Sequence, residues 1–175
     1  MIDELRAREL AKAALESDDD EVVVLGDARE LHEGWFFPCI AKRSRVFTGV
    51  IVNKETGREL LIMLHSPMER DPSLYDLGYQ FQKYDLVILA ITDLEHTVST
   101  IIEMHFVTVD PYYKHGRVWH LGRQLTEAEV RVRLSTLPAI FTGRFEFGLE
   151  HLERARQEEW FEFKALEYRG REGRG

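Results

Sequence analysis

The chain has 175 residues, enough for one domain with a sizeable core. Its apolar content of 44% excludes a disordered polymer, and its single cysteine, Cys39, excludes an internal disulfide. A formal charge of −8 weighs against nucleic acid and anionic membrane as partners.

The charge is concentrated. Met1 to Glu33 holds eleven acids against four bases (Arg6, Arg8, Lys12 and Arg29), and the rest of the chain holds twenty acids against nineteen bases. This predicts an acidic pole on a nearly neutral body, and a field of one sign steers and holds a basic partner. The N-terminus, Met-Ile-Asp-Glu-Leu-Arg, has no apolar stretch of the signal-peptide kind. The longest apolar run, Leu86 to Ile91, is too short to span a bilayer, so the expected location is the cytoplasm with no membrane partner.

In chain order, Ile2 to Glu16 predicts a helix. It lacks Gly and Pro and carries a stripe of Ala7, Leu10, Ala11, Ala14 and Leu15. Ser17-Asp18-Asp19-Asp20-Glu21 ends it, Val22 to Leu25 reads as a short strand, and Gly26-Asp27 reads as a turn. Gly34 to Ile40 is aromatic and extended, and Pro38 argues for an edge strand. Trp35, at the head of this run, is expected to anchor the core under the first helix. Val46 to Val52 and Arg58 to Leu64 form a hairpin around Asn53-Lys54-Glu55-Thr56-Gly57. His65 to Pro72 is a loop, and Ser73 to Gln82 a short helix.

Asp85 to Ile91 and Val98 to Val109 are rich in β-branched residues and predict two long antiparallel strands joined near Asp93 to His96. Asp110-Pro111 ends the pair, and Arg117 to Leu121 adds a strand. Thr126-Glu-Ala-Glu129 is a capping box for a helix from Glu127 to about Thr136, stopped by Pro138. Arg144 to Gln157 has helical composition, Glu159 to Tyr168 alternates like a strand, and the tail frays. The prediction is one α+β domain over 1–170, with a disordered tail at 171–175. It has a mainly antiparallel sheet, an N-terminal helix and a helical C-terminal region.

No catalytic signature is present. The histidines, His96, His105, His115 and His120 among them, lack the spacing of metal ligands. Cys39 lies in an aromatic strand and reads as a small buried hydrophobe. Four consecutive acids, Asp18 to Glu21, point in different directions and do not make a calcium loop. Phosphate-cradling glycine loops are missing too. No cofactor is therefore expected. Asp18, Asp19, Asp20, Glu21, Asp27, Glu30 and Glu33, in loops and at element ends, are the expected partner-binding residues.

The block from Ala11 to Leu64 resembles the immunity proteins of bacterial polymorphic toxin systems, in the YrhB-like group numbered 35. The residues that carry the likeness are an N-terminal helix, a Val-rich strand, Gly34-Trp35-Phe36-Phe37, and a strand leading to Val52-Asn53-Lys54-Glu55-Thr56-Gly57. The likeness covers about a third of the chain. It implies a small α+β module without catalytic residues that binds a cognate toxin and covers its active site. An acidic plug would suit a toxin with a basic cleft. The competing readings are a small-ligand binder or enzyme with a sheet-lined pocket, and a structural adaptor such as a secretion chaperone.

Overall fold

Asp3 starts the first helix, its carboxylate accepting the Arg6 amide at 2.8 Å. Helix α1 runs Glu4–Leu15 and buries Ala7, Ala11 and Leu15 along one face, as the sequence predicts. The computed structural model describes residues 1–16, 23–40, 46–145 and 147–168. They gather into two compact units, Met1–Gln82 and Lys83–Gly175. The sequence gives no hint of the boundary, since no Pro, Gly or charge run marks it.

In the first unit, four antiparallel strands lie in the order β1 (Arg29–Glu30), β2 (Gly34–Pro38), β3 (Phe47–Asn53) and β4 (Glu59–Met63). Alternation sorts the side chains. Phe37, Val50 and Val52 face α1 and form a core with Ala7, Ala11, Leu15 and Val23. The small alanines let helix and sheet approach closely. On the other face, a Cβ on Gly34 would meet Ile51 Cγ2 at 2.8 Å and Tyr75 at 3.2 Å. That face is covered by a single helical turn, α2 (Pro67–Arg70), and a 3-10 turn, Pro72–Leu77.

Several local expectations change here. The predicted strand Val22 to Leu25 reduces to a bridge between Leu25 and Cys39, and Val22 is outside the described residues. The loop of His65 to Pro72 contains α2, and the helix expected over Ser73 to Gln82 is the shorter 3-10 turn. Pro38 is not on an edge strand. It occupies the last position of the inner strand β2, where its carbonyl accepts the Gly26 amide at 2.8 Å. The hairpin at Asn53 forms as predicted. Asn53 Oδ1 accepts the amides of Glu55 (3.0 Å) and Thr56 (2.9 Å), and its Nδ2 donates to Tyr75 Oη at 3.1 Å.

In the second unit, β5 (Lys83–Ile91) is the central strand of an antiparallel sheet, between β8 (Ala139–Phe145) and β9 (Phe161–Glu167). The stretch Val98 to Val109 is not a strand. It divides into helix α3 (Leu94–Glu103) and the start of β6 (Val107–Lys114). Asp93 caps α3 by accepting the His96 amide at 3.0 Å, and Thr97, Val98, Thr100 and Ile101 are buried on its inner face. Local β-branched preference lost to a helical burial pattern.

Asp110-Pro111 lies inside β6 and does not end it. Its partner β7 runs Arg117–Gln124, longer than the predicted Arg117 to Leu121. Helix α4 (Glu127–Leu134) starts with the predicted capping box, the Glu129 amide donating to Thr126 Oγ1 at 3.3 Å. The helix expected over Arg144 to Gln157 is part of β8 followed by α5 (Leu149–Gln157), which begins at Gly148 with φ 94°. The C-terminal region is therefore mixed: strands β8 and β9 alternate with α4 and α5. Residues 171–175 are outside the described residues.

Trp35 is half-buried at the margin of the first core. Its indole N–H donates to the Ile2 carbonyl at 3.1 Å, and the Lys54 ammonium lies 4.9 Å from the ring centroid. Trp35→Ala should cost about 2 kcal/mol, below the roughly 3–5 kcal/mol of a fully buried tryptophan. A denaturant melt matching the parent would remove Trp35 from the core.

Candidate functional site

Of the seven acids expected to bind a partner, Asp18, Asp19, Asp20 and Glu21 lie outside the described residues. Asp27, Glu30 and Glu33 are exposed. Glu30 and Glu33 come together around Lys54. Its ammonium donates to Glu30 at 2.9 Å and to the Leu31 carbonyl, while Glu33 accepts from the Gln80 amide group. Asp76 orders the same loop by accepting the His32 and Glu33 amides, each at 2.9 Å. A cavity of about 320 Å³ opens here, lined by Met1, His32, Glu33, Asn53, Lys54 and Glu55. So the described part of the acidic pole is a shaped rim with its own cation, and Lys54 offsets part of its charge.

Several histidines have structural roles. His96 Nδ1 lies 2.9 Å from Asp93 Oδ2, and its ring stacks on Trp160 at 4.6 Å. The His96 amide, followed by its ring, holds the Asp93 carboxyl below its ordinary range. His65, His105 and His115 have positive φ, the left-handed conformation that histidine tolerates in turns. Among the described residues no group of three or more His, Cys, Asp or Glu is placed to hold a metal ion. Cys39 is half-buried and bridges Leu25.

A highly exposed element among the described residues is legible in the sequence only in pieces, as a strand over Arg117 to Leu121 and a loop, Tyr112 to His115, that is the alternative partner-binding segment. Strands β6 and β7 pair with each other over eight positions, from Val107↔Gln124 to Lys114↔Arg117. They pair with no other strand among the described residues. His115 (φ 52°) and Gly116 (φ 74°) make the two-residue turn at the tip, both left-handed as a tight hairpin requires. Every residue from 111 to 122 is exposed, with Trp119 at 49% and Tyr113 at 74%. One face of this arm presents Val107, Val109, Pro111, Tyr113 and Val118, and carries no charged residue. The other presents Tyr112, Trp119 and Leu121. The legible signal is His115-Gly116 between two alternating, aromatic-rich runs.

The arm is clamped at its base. Arg123 on β7 meets Asp110 on β6 through Nε, and its two terminal nitrogens donate to Glu129 of α4 at 2.7 and 2.6 Å. The Leu125 amide donates to the Phe106 carbonyl at 3.0 Å just below. Arg123, then the Thr126 amide and hydroxyl, hold the Glu129 carboxyl well below the ordinary glutamate range, and the two carboxylates push Arg123 up. One glutamate therefore closes the capping box of α4 and fixes the arm to it.

Comparison with known proteins finds no matching family model, no matching curated protein and no matching solved structure. No helix among the described residues is long and apolar enough to cross a membrane. What the fold and site define is an antiparallel α+β protein in two units. It bears an acidic rim on the first unit and an aromatic β-arm on the second.

Because the folded state depresses the Glu129 pKa, the clamp contributes fully above the ordinary glutamate range and is lost as pH falls below it. The protection factors of the β6 and β7 amides, which correct for the intrinsic pH dependence of exchange, should therefore fall progressively as pH is lowered below about 5. Glu129→Gln should lower them already at neutral pH and flatten that acid dependence. Equal protection in the variant and the parent at neutral pH would show that the clamp does not hold the arm.

Proposed function

We propose that this chain is a protein-binding module without catalytic activity. The specific form is the one its N-terminal resemblance implies: neutralisation of a cognate toxin in the cytoplasm of the producing cell. The single observation that supports the reading is the arm. Tyr112, Tyr113, Trp119 and Arg117 are exposed together on it, and these residue types dominate the energetics of protein interfaces. Exposed aromatic surface of this extent is costly to leave in water unless something covers it.

The acidic pole supplies the electrostatic half. Asp27 and Glu33, with Asp18, Asp19, Asp20 and Glu21 on the same segment and Glu30 shared with Lys54, would steer a basic cleft and compete with its anionic substrate. Covering the cleft is enough to neutralise it, so no chemistry is required of this chain. The cavity beside Glu33 is lined almost wholly by polar side chains, and Glu33, Asn53 and Lys54 among them are engaged with neighbouring side chains and backbone, which gives the small-ligand alternative less support than the arm gives this one.

The test is a pull-down from the native cell, then co-expression with the toxin it captures, reading growth, followed by binding kinetics; a pull-down that captures no toxin would count against the reading. Trp119→Ala and Tyr113→Ala should each weaken binding by about 2 kcal/mol, roughly thirtyfold in Kd, with circular dichroism unchanged. Neutralising Asp18 to Glu21 together should slow association and flatten its salt dependence. Unaltered protection and kinetics in all these variants would overturn the reading.

A further inference from the structure

We propose that the outer edge of β7 pairs antiparallel with β7 of a second copy of this chain, joining two arms into one four-stranded sheet. The inference rests on the reading of the arm as a protein-recognition element, and names one of its partners.

The two edges of the arm are not equivalent. Lys114 and Arg117 flank the two-residue turn, so they exchange both of their backbone hydrogen bonds. Counting back from that pair, the amides of Val118, His120, Gly122 and Gln124 point outward from β7. On β6 the outward positions are Tyr113, Pro111, Val109 and Val107, and Pro111 has no amide to give. The β6 edge is thus blocked at its middle, while the β7 edge keeps a complete row of amide donors, the Gln124 carbonyl at its base also accepting from Arg123 Nη1 at 3.1 Å. Edge strands are ordinarily protected by Pro, Lys or an inward charge, or by being short. β7 is eight residues long, Arg117–Gln124, and its stretch Val118-Trp119-His120-Leu121-Gly122 between the two arginines has none of these protections.

Charge selects a second copy and the direction of pairing. The tip of the arm carries Lys114 and Arg117. Its base carries three acids, Asp110, Glu127 and Glu129, against the two cations that pair with them, Arg123 and Arg131, and so keeps a small negative excess. Antiparallel pairing about a twofold axis sets each cationic tip beside the acidic base of the other copy, whereas parallel pairing would oppose the tips. With the axis near Leu121, His120 lies opposite Gly122, and Trp119 lies opposite Arg123, a favourable cation and ring pair. No like charges then oppose each other. Both faces of the joined sheet keep their aromatic side chains for another partner.

Sedimentation velocity of the full chain between about 5 and about 200 µM, the range suited to an interface below standard size, tests the proposal. The wild type should show a concentration-dependent dimer. His120→Pro removes an outward amide from β7 while sparing the bonds within the hairpin, and His120→Lys puts a charge beside the axis. Each should weaken dimerisation at least tenfold, with amide exchange confirming that the arm stays paired. Val109→Pro, which acts on the already interrupted β6 edge, should leave the dimer intact. A monomer over the whole range overturns the proposal. So does a dimer that survives both His120 variants, or one that Val109→Pro abolishes equally. If the wild type is monomeric yet Trp119→Ala still loses toxin protection, the second copy is removed and the protein-binding reading stands.

Discussion

What the arm can do depends on the clamp that Arg123 makes at its base. A two-stranded hairpin alone in water is marginally stable, and this one exposes both faces. Arg123 ties its two strands together through Asp110 and ties both to α4 through the two oxygens of Glu129. A planar guanidinium with five donors can do this, and the point charge of a lysine cannot. The same Glu129 closes the capping box at Thr126, so helix start and arm orientation are one arrangement of a few polar groups.

The first unit is organised by a different constraint, close approach. Ala7 and Ala11 leave α1 with little side-chain bulk, and Gly34 and Gly49 in the sheet leave no space for a Cβ against Ile51 and Phe36. A tight layer of this kind fixes where the connecting loops emerge. The loop of Glu30 to Glu33 is then held from two sides, by the Lys54 ammonium and by the Asp76 carboxylate. An acidic pole read as a net charge is, where described, an ordered rim.

The two candidate surfaces are opposite in character. The rim is polar and bears Glu30, Glu33 and Asp76 around Lys54, while the arm is largely apolar and aromatic with cations at its tip. They suit different contacts.

The chain itself determined the elements whose signals are local. The Ala-striped first helix, the Asn53 to Gly57 hairpin, the Thr126 capping box and the alternation of the last strand are all legible, because each depends on residues within one turn or one loop. Tertiary structure decided the rest. Val98 to Ile102 is β-branched enough to be a strand, and became a helix because packing of Val98 and Ile101 in the core outweighs a small difference in propensity. Pairing Glu30 with Lys54, and Arg123 with Glu129 across a helix start, needs positions that no local pattern states. The exposed arm shows this most clearly: alternation reveals a strand, but whether its faces meet a core or water is fixed only by where the other elements go.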